Sequence, residues 1–161
     1  MNMIPERLFP VEGTTGAVTT NGGITADYIS VKNAAWVDIV VHLKQAVGHA
    51  SAFTPYRATA VAPTGNVVLA NAVQIWYGNV TTSSNALTKQ TDATSFTIGV
   101  GVTGDAIIVF SIDPATLGDT YDVLGITVAD SSQATNLCSI MYYIQPKYPQ
   151  RAASNTDYLT D

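Results

Sequence analysis

The chain has 161 residues, 47% hydrophobic and only 12% charged, with a formal net charge of −5. That length fits one domain able to bury roughly two thirds of the surface its unfolded form exposes, so no staple is needed. Seven Lys and Arg scattered singly form no basic stripe to track phosphates, which argues against nucleic-acid binding, and Cys138 as the single cysteine excludes an intramolecular disulfide or a cysteine-based metal cluster.

Most of the polarity comes from Thr, Ser, Asn and Gly, so a partner can cover much of the surface with little desolvation of ions. The opening MNMIPERLFPVEG carries Pro5, Glu6, Arg7 and Pro10 where a secretion signal needs an unbroken apolar run. No later segment reaches membrane-spanning length. The expectation is a protein made in a cytoplasm, with no membrane partner.

Residues 1–23 hold two prolines, four glycines and four threonines and no sustained apolar period, and read as an extended arm. Ile4, Leu8, Phe9 and Val11 give that arm something to dock with. ITADYISV (24–31) is the first predicted strand. WVDIVVHLKQ (36–45) is the clearest: Val37, Ile39, Val41 and Leu43 share one face at period two, opposite a half-polar face of Trp36, Asp38, Val40, His42 and Lys44. AVGHASA is small and flexible. FTPYRATAVA alternates imperfectly, and its Pro55 predicts a sheet edge or bulge.

Pro63-Thr64-Gly65-Asn66 is a turn by composition. The strand that follows puts Val73, Ile75 and Tyr77 on one face, with Gln74 and Trp76 on the other. Residues 81–95 form a polar loop or irregular edge. Phe96, Ile98, Val100 and Val102 form the next buried face, and Thr103-Gly104-Asp105 turns into AIIVFSID, which predicts a β-hairpin. Asp113-Pro114 starts a single helical turn. Leu124, Ile126 and Val128 point inward, SSQATN is a loop, and Cys138, Ile140, Tyr142 and Ile144 make the last buried face. The organisation is an arm (1–23), a β-sandwich domain (24–144) and a polar tail (145–161). About eight strands at this spacing predict an all-β antiparallel sandwich, jelly-roll-like rather than immunoglobulin-like.

No arrangement specifies a chemistry. Gly99, Gly101 and Gly104 spell G-x-G-x-x-G, but a β-branched run follows where dinucleotide binding needs a helix N-terminus. Asp38 and His42 share a strand face yet sit about 13 Å apart, so each is expected to pair with a neighbouring strand instead. His49 has no companion ligand. Glu6 and Glu12 both lie in the arm, and Asp113, Asp119 and Asp122 lack the spacing of a calcium loop. Asn79-Val80-Thr81 is a sequon read as a turn. Cys138 reads as a small buried hydrophobe. The pairs Trp76-Tyr77 and Tyr142-Tyr143 straddle strands, so one member of each faces away from the core. Trp76, Tyr142 and Tyr143 are the candidate outward aromatics for a partner or a sugar.

Taken in order, DYISVKNAAWVDIVVHLKQA, FTPYRATAVA, NAVQIWYGNV, LTKQTDATSFTI, AIIVFSIDPATL, YDVLGITV and IMYYIQPKYPQR resemble a family of small virion proteins of tailed bacteriophages. The resemblance implies a capsid decoration, or cement, protein: a non-enzymatic β-domain, often a homotrimer, that binds the major capsid protein on the shell surface and needs no cofactor. The family has no motif that marks binding residues. By position and polarity, Ile4, Leu8, Phe9 and Val11 are the expected anchors, with Tyr148 and Tyr158 secondary. A carbohydrate-binding module and a head-fibre or tail component are the alternatives.

Overall fold

The computed structural model describes residues 7–62, 65–80 and 86–148. Ile4, Tyr158, Pro63 and Thr64 of the expected turn, and residues 81–85 of the polar loop lie outside them. The described chain is two antiparallel sheets packed face to face. Its strands are β1 (Phe9–Glu12), β2 (Val18–Thr19), β3 (Ile24–Thr25), β4 (Ile29–Ser30), β5 (Ala34–Gln45), β6 (Ala52–Ala58), β7 (Val67–Val68), β8 (Gln74–Asn79), β9 (Thr88–Lys89), β10 (Phe96–Thr97), β11 (Gly104–Ile112), β12 (Val123–Val128) and β13 (Leu137–Pro146).

The first sheet runs β1-β13-β5-β11-β8-β9, with β2 also on β13; the second runs β10-β6-β12-β3, with β4 on β12 and β7 on β6. Several short strands are halves of one interrupted strand. β1 and β2 pair with successive parts of β13. Between them the Thr14 hydroxyl accepts the Ile140 N–H at 3.0 Å, filling a ladder position at a bulge. β3 and β4 share β12 in the same way. With these joined, the principal strands in chain order pair first with last, second with next to last, and so inward: β1/β2 with β13, β3/β4 with β12, β5 with β11, β6 with β10. A long antiparallel ribbon rolled in this way is a jelly roll. β7, β8 and β9 are an insertion between its two middle strands, and β8 extends the first sheet beyond β11.

Alternation along β5 supplies the core. Val37, Ile39, Val41 and Leu43 are fully buried. Register sets Ile39 between Phe110 and Tyr142, and Val41 between Ile108 and Ile140. Each such side chain contributes roughly 1.5–3 kcal/mol on leaving water. From the second sheet Phe53, Leu124, Ile126 and Val128 meet them. A smaller cluster lies on the other side of that sheet, where Tyr28 covers Gly125 beside Ala58 and Val123. The helical turn is a 3-10 helix, Pro114–Leu117, capped by Asp113 accepting from the Ala115 N–H.

Three expectations change. Residues 9–12 and 18–19, read as part of an arm, are edge strands of the first sheet. Phe96 to Val102 is not one buried strand: only Phe96–Thr97 pairs, and Val100 is 71% exposed. Nor do β10 and β11 form a hairpin, because they belong to different sheets; residues 99–103 cross the gap of about 10 Å between the layers. Pro55 is in β6, which has neighbours on both sides, but at a gap. β10 ends beside Phe53, β7 begins beside Tyr56, and the Pro55 carbonyl accepts from Leu69 between them.

Candidate functional site

The sequence candidates separate once the register is known. Val11 is buried opposite Tyr142, and Phe9 packs on the same core. These two hold β1 to the sandwich, so they are not free to anchor the chain on another protein. Leu8 is half-buried, and Tyr148, just past β13, is 71% exposed. Because Phe9 lies opposite Ile144, both ends of the described chain leave at the same end of the sandwich.

Among the aromatic candidates, Tyr142 is a correction. It follows the inward period of Cys138 and Ile140, is fully buried, and its hydroxyl donates to the Asp27 carbonyl at 2.7 Å. Burial and the neighbouring Asp27 hold its phenol well above the ordinary range. Successive strand residues face opposite ways, so Tyr143 is the outward member of the pair and Trp76 its counterpart on β8. Both are half-buried on the outer face of the first sheet.

That face forms a grid. One row across the strands is Met141, Val40, Val109 and Trp76; the next is Tyr143, Asp38, Ser111 and Gln74. Asp38 accepts from the Ser111 hydroxyl at 2.5 Å and from the Trp36 indole at 3.2 Å. His42 meets Asp105 at 3.9 Å. Asp38 and His42 therefore each turn to other partners, as the distance along the strand required. His42 and Asp105 are both half exposed, a geometry that contributes little. Register puts Ser139 beside His42, but Asp105 approaches Nε2, the nitrogen a serine would need.

A different surface escaped the sequence reading. Residues 46–50 and 99–103 meet at the far end of β5, where Val47 is 45% and Val100 71% exposed. Neither loop contains an acidic or basic side chain except His49. Both are held firmly. The buried Asn136 side chain accepts from the Val47 N–H at 2.9 Å and donates to its carbonyl at 2.8 Å, in the manner of a neighbouring strand. Gly48 approaches Val100 so closely that a Cβ there would stand 2.3 Å from the Val100 carbonyl oxygen. Apolar side chains on an ordered tip whose own loops carry no ionisable group but His49 have already lost the freedom that binding would otherwise remove. The signal in the sequence was the absence of charge in AVGHASA and IGVGVTG; alternation had instead assigned Val100 to the core.

Cys138 is buried, and burial raises its thiol from an ordinary 9.0 to about 12. Native protein at pH 8 should therefore leave a chromogenic disulfide reagent unreduced and react with one equivalent in denaturant. Rapid reaction of the native chain would place the thiol at the surface. Among the described residues no group of three or more His, Cys, Asp or Glu is placed to hold a metal ion. No helix of the described residues is long and apolar enough to cross a membrane.

No protein-family model matches the chain, and no curated protein matches it. Among solved structures it is similar to a chain in the structure of infectious bursal disease virus, Gt strain. Identity there is 13%, with 94% of this chain and 40% of that chain covered, at a TM-score of 0.22. This chain thus spans less than half the length of its structural neighbour, and the superposition is too loose to carry an argument.

Proposed function

We propose that the protein is a non-enzymatic structural protein of a virion, which binds and stabilises the capsid shell of a tailed bacteriophage through the tip formed by residues 46–50 and 99–103. The observation that carries this reading is the ordered tip, with Val47 and Val100 exposed and no Asp, Glu, Lys or Arg in either loop. It replaces the arm as the contact surface, because Phe9 and Val11 belong to the core. Two valines bury little area, and each contributes at most about 1.5–3 kcal/mol. A single tip therefore binds weakly. A homotrimer presenting three tips to repeated copies of the major capsid protein turns weak contacts into firm attachment.

The test is light scattering on the purified chain, followed by co-sedimentation with undecorated capsids, for the wild type and for Val100→Asp. The wild type is expected to be a trimer that pellets with particles. A carboxylate at a contact that excludes water should lower that affinity more than about tenfold. The fold should not notice, because exposed positions of this kind shift stability by only about 0.5 kcal/mol. Failure of the wild type to pellet refutes the virion reading; a variant that pellets as well as the wild type refutes the tip.

A further inference from the structure

We propose that Trp36, Asp38 and Tyr143 form a binding site for a neutral saccharide on the outer face of the first sheet. The site is distinct from the tip: eight residues of β5 separate Trp36 from Gln45, about 30 Å of extended strand.

Asp38 is the centre. Its Oδ1 accepts from both the Trp36 indole and the Ser111 hydroxyl, while no hydrogen bond from the described residues reaches Oδ2. One carboxylate oxygen is thus held by the protein, and the other takes no hydrogen bond from the described residues. No cation neutralises it within the described residues. Along β5 the basic groups His42 and Lys44 lie four and six residues away, about 13 and 20 Å, and Lys147, whose N–H donates to the Asn33 carbonyl, lies four residues past Tyr143, again about 13 Å along the chain. Tyr143 is directly across on β13, and Gln145 lies across from Trp36. Trp36, Asp38 and Tyr143 are all half-buried, with part of each open to solvent.

Those groups select a ligand class. A sugar ring offers hydroxyl donors for Oδ2, donor and acceptor hydroxyls for an amide such as Gln145, and apolar C–H faces for flat rings. An anionic ligand would be repelled by the unneutralised carboxylate. A quaternary ammonium fits aromatic rings and an acid, but it makes no hydrogen bonds and leaves the Gln145 amide unused. Placement on paired strands fixes the positions, and rigid Trp and Tyr side chains lose little freedom on binding.

The experiment is affinity electrophoresis of the full chain through gels containing dextran, mannan, starch or hydroxyethylcellulose. Calorimetry with chitohexaose, maltohexaose and choline chloride accompanies it. The expected result is binding to at least one saccharide and none to choline. Asp38→Ala should weaken it by about tenfold or more, as loss of a hydrogen bond to a charged group predicts, and Tyr143→Ala by about tenfold through loss of the ring's apolar contact area. Asp38→Asn, which keeps an oxygen for Trp36 and the same size, should lose less. Trp76→Ala should bind as the wild type. Binding to no saccharide, equal binding by the Asp38 and Tyr143 variants, or equal binding of choline overturns the proposal. Capsid co-sedimentation of the same variants should be unchanged, which separates failure here from failure of the tip.

Discussion

Replacing Tyr142 with alanine should destabilise the fold by about 3–5 kcal/mol, a large part of the 5–15 kcal/mol typical of a domain. The ring is fully buried between Ile39 of β5 and Val11 of β1. It lies so close under the chain at Gly13 that a Cβ there would be 2.7 Å from its Cε2. Its hydroxyl reaches the Asp27 carbonyl, between β3 and β4, and so ties β13 of the first sheet to an edge of the second. Tyr142→Phe keeps the ring and should cost only about 1 kcal/mol. Urea titration of the three proteins checks this. A loss below about 1 kcal/mol for the alanine variant would mean that the ring is not part of the core.

The same residue gives a pH dependence. Its phenol is raised from an ordinary 10.0, so an unfolded chain releases that proton at a pH where the native chain still holds it. Above pH 10 the native state binds more protons than the unfolded one, and stability falls as pH rises. Tyr142→Phe should flatten that decline.

What the sequence made legible was the period, and what it hid was the register. WVDIVVHLKQ named its buried residues correctly because alternation over a long strand leaves one solution: Val37, Ile39, Val41 and Leu43 are fully buried. The same rule already placed Tyr142 inward beside Cys138 and Ile140, so its place among outward aromatics contradicted its own strand. Phe9 and Val11 alternate too, but over a four-residue strand containing Pro10 and followed by a bulge, which is too short for a period to register. Proline is tolerated there because β1 is an edge strand. Val100 alternates with Ile98 yet leaves the sheet, since Gly99 and Gly101 lie in a crossing between layers that no local pattern marks. Trp36 and Asp38 were visibly on one face. That Ser111 and Tyr143 flank them depends on pairing across more than seventy residues of chain.

Asn136→Ala should both weaken the fold and disable the tip. The side chain is 1% exposed and serves both polar groups of the Val47 backbone. Its removal leaves an N–H and a carbonyl without partners in a part-buried place, at about 1–3 kcal/mol each, so a loss of about 2–6 kcal/mol is expected. Asn136→Asp keeps the acceptor for the Val47 N–H but sets a carboxylate oxygen against the Val47 carbonyl in a buried place, and should cost at least as much as alanine. Hydrogen exchange at the Val47 amide separates the clamp from general destabilisation. Protection there should drop far more than at Val41 in the centre of β5, because a loop without its clamp opens locally while the core strand opens only with the whole fold. If capsid binding depends on an ordered tip, the alanine variant should pellet poorly even though Val47 and Val100 are intact. A Val47 amide that stays protected in the alanine variant would show that the crossing at Gly48 and Val100 alone orders the loop.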